Sequence, residues 1–180
     1  MASGANHHQA DMFSAGTLVT AAGGHGTQFG MPIPTISGAA DAQAFVDARI
    51  AEGSHFIKVV LEEGHGERRL NSLDAATVKA VIEAAHRRGK LAVVHVSTLA
   101  HARAALEAGA DGLVHLFPGS AIPARDAEAF ARLARDKGAF VIPTFSVLES
   151  VAGMRPAALL ADPAFAGMLD KGQQGPLKTS

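Results

Sequence analysis

The stretch that most constrains the fold is residues 89–118, GKLAVVHVSTLAHARAALEAGADGLVHLFP. Its apolar runs LAVVHV and GLVHLF predict two β-strands, and the segment between them predicts a helix. A strand, a helix and a strand in this order are typical of a parallel sheet. A histidine lies near the end of each strand, His95 in the first and His115 in the second. We therefore expect two imidazoles at one edge of a parallel sheet.

A third apolar run, HFIKVVL, carries Lys58 in its middle. Alternation along a strand places Phe56, Lys58 and Val60 on one face, and apart from Lys58 both faces are apolar. A strand that is apolar on both faces is typical of a parallel sheet covered on both sides. Because burial disfavours an ammonium ion, we expect the pKa of Lys58 to be lowered.

The rest of the chain continues the alternation of strands and helices. We predict strands at residues 16–22, 55–61, 91–96, 112–117 and 140–144, and helices at residues 37–52, 74–88, 98–108 and 126–137. Five strands with helices between them indicate an α/β fold, a parallel sheet with outer helices. A complete (β/α)8 barrel usually needs about 250 residues, so 180 residues predict a partial TIM barrel. We expect one incomplete barrel domain over residues 1–180, with its core at 16–144 and an irregular tail at 145–180.

Composition narrows the chemistry. The chain has a formal net charge of -1 and no cysteine, so any metal must bind histidine, carboxylate or a modified side chain. With no basic stripe, we expect a small-molecule substrate and no nucleic acid. No apolar run suggests a membrane span and no leader is recognised at Met1, so a cytoplasmic location without membrane contact is the expectation.

Lys58, His95 and His115 together suggest a metal site. Imidazole is a good ligand for zinc and similar divalent ions, and active groups of barrels gather at the carboxyl ends of the strands. A neutral Lys58 amine can react with carbon dioxide to form a carbamate, whose two oxygens can bridge two metal ions. Such a site would activate hydroxide and polarise a carbonyl group.

Other interpretations stay open. The strand histidines can be hydrogen-bonded core residues, and Lys58 can pair with a buried carboxylate or form a Schiff base, as in an aldolase-like barrel. His25, in the glycine-rich segment after the first predicted strand, is either a turn residue or a substrate contact. The segment 62–72, EEGHGERRLNS, is predicted to be a solvated polar loop.

The sequence resembles the metal-dependent amidohydrolase superfamily, particularly its imidazolonepropionase-like and Xaa-Pro dipeptidase-like branch. The resemblance lies in TAAGGHGTQFG, ARIAEGSHFIKVV, VKAVIEAAHRRGKLAVVHV, ALEAGADGLVHLF and GAFVIPTF. It implies that these segments are about strands 3 to 7 of the barrel, that Lys58 is the carboxylated bridging lysine and that His95 and His115 bind metal, most simply zinc, as catalytic residues. It also implies that His25 contacts substrate. Ser97 stands where prolidase-like members often carry a tyrosine, and is a second predicted substrate-binding residue.

The sequence departs from this superfamily at both ends of the barrel. The HxH of its first strand and the metal-binding aspartate of its eighth strand have no counterpart here. We therefore expect the central portion of a hydrolase that cleaves C–N bonds through metal-activated water, with little or no activity alone. A non-catalytic barrel remnant is the alternative, and in either case exposed sheet edges predict self-association into a homo-oligomer.

Overall fold

A four-stranded parallel sheet organises the first part of the chain. The computed structural model describes residues 8, 10–117, 121–151, 153, 161–170 and 172. The strands of the sheet stand in the order β1-β4-β5-β6, and β2 pairs with β3 in a separate antiparallel hairpin. The strands are β1 (Ile57–Leu61), β2 (Gly64–His65), β3 (Arg68–Arg69), β4 (Ala92–Val96), β5 (Gly112–Val114) and β6 (Phe140–Ile142).

Helices alternate with the strands of the sheet, as the pattern predicts, and two further helices follow the last strand. They are α1 (Ala42–Ala51), α2 (Ala75–Arg87), α3 (Leu99–Glu107), α4 (Ala124–Asp136), α5 (Phe145–Val151) and α6 (Pro163–Met168), with 3-10 turns at Thr27–Phe29 and Ala39–Asp41. Side-chain caps start two of them, since Asp74 accepts from the Thr77 amide and Thr98 accepts from the His101 amide. The prediction of a parallel sheet with outer helices is confirmed.

One face of the sheet, which we call the helix-covered face, forms the core. Strand residues on this face share a single cluster of buried side chains with residues of α1, α2, α3 and α4. The main strand contributions are Ile57, Val59, Ala92, Val94 and Leu113. Burying this apolar surface is the main stabilising term for a sheet of this kind.

The opposite face, which we call the Lys58 face, carries the polar residues. The register pairs Lys58 with Val93 and Val60 with His95, and it continues to Gly112 and Val114 in β5 and then to Phe140 and Ile142 in β6. Val60, Val93 and Val114 are buried, whereas Phe140 and Ile142 remain 41% and 46% exposed. The same sheet therefore has a closed apolar face and a face that mixes valines with a lysine and a histidine.

Two of the predicted elements are wrong in the first half of the chain. Of the predicted strand 16–22, only Val19 forms a bridge, to Val59, through backbone hydrogen bonds with Lys58 and Val60. The segment predicted as a solvated polar loop contains the β2–β3 hairpin, and its first residue, Glu62, is buried. The Val19 bridge and the contact of Glu62 with His95 join segments far apart in the sequence, which local periodicity does not report, whereas the hairpin itself pairs residues only a few positions apart.

The last predicted strands are shorter than expected. β5 ends at Val114 and β6 ends at Ile142. The chain divides into two compact units, Met1–Pro143 and Thr144–Ser180. The second unit, predicted to be irregular, contains α5 and α6 among its described residues, and Asp162 accepts a hydrogen bond from the Ala164 amide at the start of α6. Part of this predicted tail lies outside the described residues.

Among the helices that the structure describes, we find none with the length and apolar character needed to cross a membrane.

Candidate active site

His95 lies at the centre of a cluster of three histidines at the carboxyl end of the sheet. It is the fourth residue of β4, on the Lys58 face, and its side chain is 12% exposed. Its ring stacks on that of His25 at a centroid distance of 4.7 Å and an interplanar angle of 23°. The ring of His115 meets it edge-on, also at 4.7 Å between centroids. The structure thus brings together the three histidines singled out from the sequence.

His115 reaches this cluster from a backbone turn that follows its strand. It lies one residue beyond β5 with a φ of 68°, in the left-handed region that few non-glycine residues adopt. Its amide donates to the carbonyl of Ile142, which fixes the turn against β6. The strand predicted at 112–117 therefore ends before His115, and this turn orients its side chain.

A tight glycine loop places His25. Gly24 forms a bridge with Asn71, and a Cβ atom at Gly24 would overlap Thr20, Ala21 and Asn71, so only glycine fits this close approach. The side-chain amide of Asn71 donates to the carbonyl of Ala22 at 2.7 Å and holds the loop from the other side. The loop that follows the Val19 bridge is thereby tied to the segment that follows the hairpin.

Lys58 shares this face, two residues from Val60, which is the register partner of His95. Burial lowers the pKa of the Lys58 amine below its ordinary value. This direction is the one that the sequence predicts, because the amine lies among apolar strand residues. A larger fraction of neutral amine makes Lys58 a better nucleophile.

Burial also favours the neutral form of the three histidines. Burial lowers the pKa of His95 to about 4, and the charges of His115, His25 and Lys58 add to this, while the hydrogen bond to Glu62 opposes it. Burial likewise lowers the pKa of His25 and of His115, and Lys58 contributes in both cases. Neutral imidazole is the form that binds a metal or accepts a proton.

Glu62 is the site residue that the sequence analysis missed. Its side chain is 6% exposed, and its Oε2 atom lies 3.2 Å from Nε2 of His95. Its other oxygen, Oε1, accepts a hydrogen bond from the amide of Gly64 at 2.9 Å. The signal was present in the sequence, since Glu62 continues the alternation of Lys58 and Val60 one step past the strand.

Ser97, a predicted substrate contact, lies beside the cluster and faces helix α3. It is buried, and its hydroxyl is 3.4 Å from Nδ1 of His101. Nε2 of His101 lies 3.8 Å from a carboxylate oxygen of Glu63, which is the exposed neighbour of Glu62. The substrate-binding roles of Ser97 and His25 remain predictions.

The side chains in the cluster are of types that bind divalent metal ions, but they are too few to complete a metal site. His95 and His115 provide two adjacent imidazoles, and Lys58 provides an amine of lowered pKa. Within the part of the chain that the structure describes, no three His, Cys, Asp or Glu side chains converge into a group that could hold a metal ion. A closed metal site therefore needs ligands in addition to these.

Comparisons with known proteins place this sheet in a known architecture. No protein-family model matches the chain, and no curated protein matches it. Solved structures do match it. The A. niger ochratoxinase has a TM-score of 0.65 at 23% identity over 86% of this chain, and an Xaa-Pro dipeptidase with bound methionine has a TM-score of 0.62 at 24% identity over 78%. A structure described as an amidohydrolase has a TM-score of 0.57 at 19% identity over 83%.

The fold is that of part of a TIM barrel, similar to part of the ochratoxinase and of the structure described as an amidohydrolase. The resemblance stated from the sequence is confirmed at the level of the fold. The chain covers only 39%, 37% and 41% of the ochratoxinase, the dipeptidase and the amidohydrolase, respectively. It therefore spans about two fifths of the length of the structures it matches.

Proposed function

We propose that this chain is the central part of a metal-dependent hydrolase of the amidohydrolase type, which cleaves a C–N bond of an amide, cyclic amide or peptide-like substrate. The observation that carries the proposal is the cluster of His25, His95 and His115 at the carboxyl end of a parallel sheet, on the face that holds Lys58. In a barrel this is the end at which active sites form. One of the matched structures is an Xaa-Pro dipeptidase, which agrees with a peptide-like substrate.

Each residue has a defined part in this proposal. His95 and His115 would hold a divalent metal, most simply zinc, through neutral imidazole nitrogens. The neutral amine of Lys58 would add to carbon dioxide and release one proton, which leaves an anionic carbamate with two oxygen donors. When bound, the metal would supply a Lewis acid and a bound water of lowered pKa. His25 would contact the substrate.

Zinc titration of the purified chain tests this proposal. We expect measurable zinc binding by wild type in bicarbonate buffer and its loss in the double variant His95→Ala/His115→Ala. The matched control is His55→Ala/His86→Ala, which removes two exposed histidines whose partners, Ser14 and Asp111, lie outside the cluster. Binding that is absent from wild type, or equal in both double variants, would refute the site.

Activity provides a second readout. Because the ligand set is incomplete in the described residues, we expect little or no hydrolysis of Xaa-Pro dipeptides by the isolated chain, with or without zinc. Robust zinc-dependent turnover by the 180-residue chain would show that a complete site forms without further barrel strands.

The lowered pKa of Lys58 also favours a second function, a Schiff-base enzyme in which Lys58 attacks a carbonyl group. Borohydride reduction in the presence of an aldehyde substrate would then trap a covalent adduct at Lys58, and a chelator would have no effect on activity. A non-catalytic remnant is favoured by the exposed side chains of Phe140 and Ile142. It predicts a mass that rises with protein concentration in light scattering and is independent of metal.

A further inference from the structure

Glu62 is a buried carboxylate with a nitrogen atom within hydrogen-bond distance of each of its two oxygens. Oε1 accepts from the Gly64 amide at 2.9 Å, and Oε2 lies 3.2 Å from Nε2 of His95. An ionised carboxylate only accepts hydrogen bonds, so the atom facing Oε2 has to carry a proton. The backbone N–H bond to Oε1 favours the ionised form of the carboxylate.

We propose that Glu62 is a positioning residue that holds the proton of His95 on Nε2 and thereby leaves the lone pair on Nδ1. A neutral imidazole carries one proton, so a hydrogen bond at one nitrogen selects the tautomer and determines which nitrogen is available to a metal or a substrate. In the described part of the chain, Nδ1 of His95 makes no hydrogen bond. The role of Nδ1 as a metal ligand rests on the proposed function, whereas the tautomer does not.

The surroundings of His95 support a fixed neutral tautomer. The ring stacks on His25 on one side and meets the edge of His115, so its orientation is restricted from two directions. The side chain of His95 is only 12% exposed, and burial favours the neutral imidazole, which carries a single proton. A carboxylate that orients a metal-binding histidine is a recurrent arrangement, and its loss costs roughly 10–100-fold in metal affinity.

The substitution Glu62→Gln separates this role from packing, because it keeps the size and shape of the side chain. An amide has one acceptor oxygen and one NH2 donor, so it cannot accept hydrogen bonds from both Gly64 and His95. If the amide oxygen keeps the bond to Gly64, the NH2 group faces Nε2 of His95 and favours the tautomer with the proton on Nδ1. Glu63→Gln is the matched control, since Glu63 is the adjacent residue, is 63% exposed and lies near His101 instead.

Long-range 1H–15N NMR spectra of the metal-free chain at neutral pH read out the tautomer directly, with His95 assigned from its absence in His95→Gln. We expect a proton on Nε2 in wild type and in Glu63→Gln, and a shift of the proton toward Nδ1 in Glu62→Gln. A proton on Nδ1 in wild type, or an unchanged tautomer in Glu62→Gln, would overturn the proposal.

Zinc titration of the same three proteins separates this proposal from the proposed function. We expect Glu62→Gln to raise the zinc dissociation constant roughly 10–100-fold and Glu63→Gln to leave it unchanged. If the tautomer shifts as expected but wild type binds no zinc, the positioning role stands and the metal-dependent function fails. If Glu62→Gln abolishes zinc binding as completely as His95→Gln, Glu62 is a ligand and the positioning role is wrong.

Discussion

The two faces of the parallel sheet are built from the same strands and have opposite characters. On the helix-covered face, Ile57 and Leu113 are at most 1% exposed and belong to one continuous apolar core. On the Lys58 face, neighbouring strand positions carry Lys58 and His95, and Ile142 at the far edge is 46% exposed. Alternation along each strand sends successive residues to different environments.

The helix-covered face mainly stabilises the fold, whereas the Lys58 face carries the groups that could take part in chemistry. The helix-covered face contributes most of the buried apolar surface, which stabilises the fold. The Lys58 face holds groups whose charged forms are disfavoured there, since burial lowers the pKa values of both Lys58 and His95. Perturbed pKa values of this kind are typical of functional sites. Substitutions on the two faces should therefore have different consequences.

The largest expected effect is on the helix-covered face. Ile57→Ala should lower the free energy of unfolding by about 2–5 kcal/mol, because it leaves a cavity among fully buried side chains. Ile142→Ala removes the same atoms from the Lys58 face and should cost less than about 1 kcal/mol, since that side chain is half exposed. Urea unfolding of the two variants measures both values. Equal losses would show that the Lys58 face is as closely packed as the other.

The parts of the fold that follow from short-range patterns were predictable from the sequence. The helix predicted at residues 74–88 is α2 (Ala75–Arg87), where the apolar side chains repeat at helical spacing. The strand predicted at 91–96 is β4 (Ala92–Val96), in which every residue except His95 is apolar. Because parallel strands align their carboxyl ends, the strands predicted at 91–96 and 112–117 were enough to place His95 and His115 at one edge of the sheet, where their rings meet.

The rest depends on contacts that no local pattern encodes. The side-chain amide of Asn71 donates a hydrogen bond to the carbonyl of Ala22, which lies 49 residues earlier in the sequence. This contact helps to form the loop that brings His25 to His95. Glu62 stands at the start of a polar segment, and the partner that accounts for its burial, His95, lies 33 residues later in the sequence. The turn at His115 depends on a hydrogen bond to β6. Loop conformation is therefore where sequence reasoning fails.

Acid should destabilise the metal-free chain through the Lys58 face. The folded pKa of His95, about 4, lies below the ordinary value of 6.5, so the unfolded chain binds the proton more readily. The free energy of unfolding is therefore highest above pH 6.5 and falls as the pH drops toward 4. At about 1.4 kcal/mol per unit of pKa, the contribution of His95 is about 3 kcal/mol. The lowered pKa values of His25 and His115 act in the same direction.

Urea unfolding at a series of pH values, in the presence of a chelator, measures this effect. His95→Asn removes the titrating group, so its free energy of unfolding should fall less than that of wild type between pH 6.5 and 4. The difference between the two profiles isolates His95 from His25 and His115. Parallel profiles would mean that His95 titrates alike in the folded and unfolded chains.

The smallest expected effect concerns the packing of the Lys58 face itself. Gly112 and Phe140 are register partners on β5 and β6, and a Cβ atom at Gly112 would overlap the ring of Phe140. Gly112→Ala should therefore cost about 1–3 kcal/mol of unfolding free energy, at the low end if the half-exposed ring moves aside.

In a Phe140→Ala background the same substitution should cost less, because the overlapping ring is gone. A double-mutant cycle by urea unfolding measures this coupling, and additive losses would show that the ring does not rest on Gly112. Strong coupling would show that the Phe140 ring packs against Gly112 although the ring is partly exposed. The two faces of the sheet would then differ less in packing at β5 and β6 than at β1 and β4.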